Sequence, residues 1–175
     1  MTEVDNPGPL QIVYLVKKLS DMSYPQIGRT VIQKMTYLIS REGLADYTFS
    51  LYHYGPYSGR ASSDLDQISA SGMVNVEWQG DKGYFISPEQ KGIQAIEKLS
   101  PSERSEIDRV VERYHEFSAI KLSLIATALY VIDKNNVTDD EELIDVVTSL
   151  KPLYAGRVEQ ILREAEIIPL ATVNI

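Results

Sequence analysis

GLADYTFSLYHYGPYSGRASSDLDQISASGMVNVEWQGDKGYFIS, residues 43–87, is the stretch that decides the fold. Gly43 reads as the C-cap of a preceding helix. Thr48–His53 alternates, with Phe49, Leu51 and His53 on one side, which predicts a short strand that Gly55-Pro56 breaks. Ser58 then caps a helix through Ser71, with Ala61, Leu65 and Ile68 on its inner stripe and Gly72 as its stop. Met73–Gln79 and Tyr84–Ser87 form the halves of a β-hairpin around Gly80-Asp81-Lys82-Gly83. Val74, Val76 and Trp78 share one face, and Tyr84 and Ile86 continue it on the returning strand. If that face buries the indole, Trp78→Ala costs about 3–5 kcal/mol. Pro88 sits at the first position of the next helix, on which the hairpin packs.

Toward the N-terminus, Met1–Pro9 is a frayed end with Asn6-Pro7-Gly8-Pro9 as breaker. Leu10–Ser20 repeats apolar residues at three and four, as a helix does. A second helix starts at Thr30, whose hydroxyl and Gln33 make a capping box. Toward the C-terminus everything is helical. Ser100-Pro101-Ser102-Glu103 is a capping box, and Thr138 with Glu141 caps a later helix. Val158, Ile161, Leu162 and Ala165 form the stripe of the last helix. The acidic run Asp139–Glu142 lies in a first turn, where the helix dipole favours negative charge, so it needs no metal.

The order helix, helix, hairpin, helix is that of a winged helix-turn-helix. The expected fold class is mostly α (α+β): a winged-helix-like domain over residues 10–100 with a small hairpin, and a C-terminal helical bundle over 101–168 packed on it.

Composition narrows the function. The chain has 175 residues, 43% of them hydrophobic, ample for a packed core. It has no cysteine, which excludes disulfides, thiol catalysis and thiolate metal sites. Met1–Pro9 lacks the basic start and apolar run of a signal peptide, and Leu122–Ile132 is too short to span a bilayer. The expectation is a cytoplasmic protein with no membrane contact. The formal net charge is −8, yet residues 1–60 carry six Lys/Arg against five Asp/Glu, leaving −9 for the rest. An acidic body repels nucleic acid, so DNA contact is possible but disfavoured.

Ile32-Gln33-Lys34-Met35-Thr36-Tyr37-Leu38-Ile39 and Leu51-Tyr52-His53-Tyr54-Gly55-Pro56-Tyr57-Ser58 resemble the YwgA-like proteins of bacteria and archaea. More distantly they are similar to the Panacea domain of phage-associated and antitoxin proteins. Those families share an "LQKLxYL" helix, a "YGP" element, and a helix leading to a glycine and a small hairpin. The match covers about residues 10–100, with Met35 and Thr36 where Leu is common. The resemblance implies a winged-helix-like fold and a regulatory or partner-binding role. It implies no enzymatic activity.

The residues supply no reactive constellation either. His53 and His115 lack the further ligands a metal requires. Gly-x-Ser-x-Gly, a P-loop and GxGxxG are absent. Asp64 and Asp66 lie two apart on a helix and do not share a face. The expectation is no catalytic residue, no metal, no cofactor and no enzyme. Tyr52, Tyr54 and Tyr57 are the candidate partner patch, since tyrosine is enriched in interfaces. The favoured reading of the three rings, however, is that they hold the strand–helix corner. If the helix after Ser58 reads DNA, its contacts are Ser58, Arg60, Ser62, Ser63 and Gln67, with Lys82 at the hairpin tip. The long link from Gly43 to Tyr57 argues against it, because a compact helix-turn-helix uses a turn of about 3–4 residues.

The leading expectation is a non-enzymatic regulatory or adaptor protein acting through protein–protein contacts, antitoxin-like or defence-associated. The alternative is a winged-helix DNA-binding transcriptional regulator. A homodimer using the Val158–Ala165 stripe is a further expectation.

Overall fold

The computed structural model describes residues 6–170. Within them the chain is mostly helical, with eight α-helices and two small antiparallel sheets. The helices are α1 (Gly8–Asp21), α2 (Arg29–Arg41), α3 (Gly59–Ala70), α4 (Gln90–Ala95), α5 (Pro101–Tyr114), α6 (Ala119–Asn135), α7 (Asp140–Leu150) and α8 (Val158–Glu164). Strands β1 (Ser50–Tyr52) and β2 (Gly55–Tyr57) make one hairpin, and β3 (Val74–Trp78) and β4 (Tyr84–Pro88) the other. No single helix among the described residues is long and apolar enough to cross a membrane.

Two helices form the centre. Val31–Ile39 of α2 and Leu122–Leu129 of α6 are each buried without interruption, and the two pack on each other. A helix buried all round is normally apolar all round. α2 is not: Gln33, Lys34 and Thr36 lie within its buried stretch. These polar groups have no route to solvent along the helix, so they need internal partners. α1 packs on α5, and one continuous core runs from Ile12 through Ile168, across residue 100.

The β3–β4 hairpin forms in the expected register, Val76 opposite Ile86 and Trp78 opposite Tyr84. Its burial falls along the strand. Val74 is buried, Val76 half-buried and Trp78 61% exposed. The hairpin packs on α1 and α3 rather than on the helix after Ser87. That helix comes close to the residue before β3: Glu89 N–H donates to the Met73 carbonyl, and a Cβ added at Gly92 would lie 2.2 Å from the same oxygen. Ile86 N–H donates to the Ile27 carbonyl, tying β4 to the loop before α2.

Several caps differ from expectation. α2 begins at Arg29 with Gly28 as N-cap, so Thr30 and Gln33 form no capping box. Asp139, not Thr138, caps α7 through Glu142 N–H, because its carboxylate is placed one residue nearer the helix. Pro88 ends β4, and Glu89 takes the N-cap position of α4 without a side-chain hydrogen bond. Ser58 and the Ser100–Glu103 capping box are as expected. α1 already begins at Gly8; residues 1–5 of the expected frayed end lie outside the described residues. The stripe Val158, Ile161, Leu162 and Ala165 is buried, with α8 packed on α6 and α7. A dimer built on that stripe has no apolar surface left to use.

Candidate docking face

The segment Tyr52–Ser58 folds as a strand, a turn and a returning strand, with Tyr52 opposite Gly55. The expected break at Gly55-Pro56 is therefore a second hairpin. Three residue pairs are too few to hold such a hairpin by themselves. Side chains from elsewhere hold it instead. Lys34 of α2 donates from Nζ to the Pro56 carbonyl at 2.8 Å. Lys151, just past α7, donates to the His53 carbonyl. Ser123 of α6 donates from Oγ to the Tyr54 carbonyl. Gln33 donates from Nε2 to the Ser58 carbonyl at 2.9 Å and accepts from Ser58 N–H at 3.0 Å. This is how Gln33 and Lys34 of α2 are satisfied, although Thr36 Oγ1 and Arg29 Nε remain without a partner.

Gly55 is required by two features together. Its φ is +97°, and a Cβ there would lie 2.7 Å from Thr127 Oγ1 and 3.1 Å from the Ser123 carbonyl. α6 thus presses on the turn from below while the turn's side chains face outward.

Lys34 and Lys151 are 2% and 7% exposed, and neither joins an ion pair among the described residues. Burial, with the nearby Lys151 charge adding to it, pushes the Lys34 ammonium down to about 8. Burial also lowers Lys151.

The expectation that the three tyrosines hold the corner is corrected. Tyr57 is half-buried, but Tyr52 is 61% and Tyr54 71% exposed. Tyr52 stacks on Tyr57 at 5.1 Å between ring centroids. The corner is held by hydrogen bonds to its backbone, which leaves the outer rings free.

Three adjoining cavities surround Tyr54, of about 700, 500 and 440 Å³. Thr30 and Tyr54 line all three. The largest is walled by Tyr24, Trp78, Tyr84 and Phe117, the second by Ile120, Leu150 and Leu153, and the third by Tyr52, Tyr57 and Leu65. Eight large hydrophobic side chains are exposed among the described residues, and all but Leu170 line one of these cavities. Trp78 and Tyr84 meet edge-on at 4.9 Å, and the Arg29 guanidinium lies 4.8 Å over the Tyr84 ring. Arg29 also pairs with Asp66 at 2.6 Å, bridging α2, α3 and the β3–β4 hairpin.

Of the candidate nucleic-acid residues, Arg60, Ser63 and Gln67 share one exposed face of α3, and Lys82 lies at the tip of the β3–β4 hairpin. Ser58 is 1% exposed and occupied by Ala61 N–H and Gln33, so it is corrected to a structural cap. Arg60, Ser63, Gln67 and Lys82 are exposed and Ser62 half-buried. Arg60 lies over Tyr47, and Asp66 is exposed beside them on α3. No group of three His, Asp or Glu that could hold a metal occurs among the described residues. Gln33, Lys34, Ser123 and Lys151 escaped sequence reasoning. The signal available was a lysine inside an otherwise apolar helix stretch. Comparison of the chain with protein-family models and with the curated proteins gave no match.

Proposed function

We propose that this chain is a non-enzymatic regulatory or adaptor protein that docks a protein partner on the face around Tyr54. One observation carries the reading: seven of the eight exposed large hydrophobic side chains line three adjoining cavities. Scattered apolar residues are ordinary on a surface, whereas a contiguous aromatic and aliphatic patch marks an interaction site. Tyrosine and tryptophan suit such a site, since each offers large area with few rotamers to freeze. A winged-helix-like arrangement of residues 10–100, with β3–β4 as its wing, belongs to the same proposal. The resemblance to YwgA-like and Panacea proteins points the same way.

The test is quantitative capture from the native host by wild type and by the Tyr54→Ser/Leu153→Ser variant. Both sites are exposed, so the variant keeps its fold, which circular dichroism checks. A partner held by wild type and lost by the variant is the expected result. Equal capture of every protein by both rejects this face.

A further inference from the structure

The face carries a charge signature opposite to that of the molecule. The whole chain has 25 Asp/Glu against 17 Lys/Arg. The charged residues lining the three cavities are Arg29, Lys34 and Lys151 against Glu116 alone, and both histidines, His53 and His115, line them too. Arg29 is offset by Asp66, which leaves the two lysines as the cations without a carboxylate. A buried ammonium that meets only neutral carbonyls is poorly compensated. Lys34 and Lys151 border the third and second cavities respectively, and these two cavities share Thr30, His53 and Tyr54. The field there gains from α2, whose thirteen residues start at this point with no side-chain cap and no acid in the first turn.

We propose that the occupant of the face is an acidic peptide segment with apolar anchors, whose carboxylate sits at Thr30 and Tyr54 where the two lysine-lined cavities meet. This rests on the docking reading above and adds the chemistry of the partner. The carboxylate supplies the anion that Lys34 and Lys151 lack. Flanking leucine or phenylalanine side chains fill the Trp78–Tyr84 cavity on one side and the Ile120–Leu153 cavity on the other. The aliphatic walls favour a peptide over a single-stranded nucleic acid, whose bases would stack on rings alone.

The experiment is selection of a random dodecapeptide phage library on the wild-type chain, with counter-selection on the Tyr54→Ser/Leu153→Ser variant. Trp78, the only tryptophan in the chain, reports binding through its emission. The expected binders combine Asp or Glu with Leu or Phe and shift Trp78 emission. Replacing their acids with Asn or Gln weakens binding about tenfold, as expected for loss of one charge-assisted contact. Lys151→Met removes that preference in the chain. If the variant does not fold, the acid-to-amide comparison on wild type still decides. Binders without acids, or amide peptides that bind equally, overturn the acidic partner while leaving the docking face standing. No enrichment over the variant overturns both. An oligo-dT 12-mer that shifts Trp78 more tightly than any peptide reassigns the face to nucleic acid. A rise in mass with concentration that Leu153→Ser abolishes reassigns it to a second copy of the chain.

Discussion

The two hairpins of this protein lean on the rest of the chain to different degrees. β3–β4 has five paired residues on each strand and a local alternation that buries Val74 and Ile86. β1–β2 has three, with its strand and turn carbonyls taken by Lys34, Ser123 and Lys151 from three distant parts of the chain. The first hairpin is specified largely by its own longer ladder, with Gln26 and Ile27 tying β4 and the tip to the loop before α2, whereas the second depends mainly on its surroundings. The second displays Tyr52 and Tyr54 at 61% and 71% exposure, as the first displays Trp78 at 61%. A turn held by its backbone need not bury its side chains. Both hairpins end at the same face, Trp78 and Tyr84 from one and Tyr54 from the other.

Gly55→Ala should strike this contrast hardest. It forces a side chain into a left-handed backbone and against Thr127, and a loss of about 3 kcal/mol is expected. Gly80→Ala in the other hairpin, at φ +52° with open space around it, should cost about 1 kcal/mol. Equal losses in urea unfolding would erase the distinction.

The next effect is a pH dependence from Lys34. Its folded-state value near 8 lies below the ordinary lysine value, so between them the unfolded chain binds the extra proton. Stability therefore rises with pH in that window, and the contribution is lost as pH falls below about 8. From pH 8 to about 9.5 the gain approaches 2 kcal/mol at most. Lys34→Met should flatten this rise. A slope that survives the substitution would mean another group produces it.

Trp78→Ala should cost under about 1 kcal/mol, since its ring is mostly exposed and gains chiefly its edge contact with Tyr84. A loss of about 3 kcal/mol or more would show that the indole is packed and remove it from the docking face. Smallest of all should be the response to DNA. No nanomolar binding to random duplex is expected at physiological salt, and Arg60→Ala and Lys82→Ala should change nothing in an anisotropy titration. Tight binding that either substitution weakens would favour the regulator alternative.

The contrast between hairpins is also the contrast between what could and could not be read from sequence. β3–β4, the Ser58 cap and the Ser100–Glu103 capping box are encoded by residues a few positions apart. β2 was hidden because Gly55-Pro56-Tyr57 has the composition of a break and becomes a strand only under Lys34, Ser123 and Lys151. Gln33 has the right spacing for a capping box, but Ser58, twenty-five residues away, uses both ends of its amide. The α2 segment Ile32–Ile39 and the segment Leu51–Ser58 are thus hydrogen-bonded to each other. Tyr52, Tyr54 and Tyr57 were visible as a cluster, while their exposure depended on those distant bonds.

The docking claim is tested most directly by placing the photo-crosslinker p-benzoylphenylalanine at position 54 in the native host. The control places it at Lys98, which is exposed but lines none of the three cavities. A discrete covalent adduct with another protein is expected from position 54 and none from position 98. No adduct from position 54, or the same adducts from both, would contradict it.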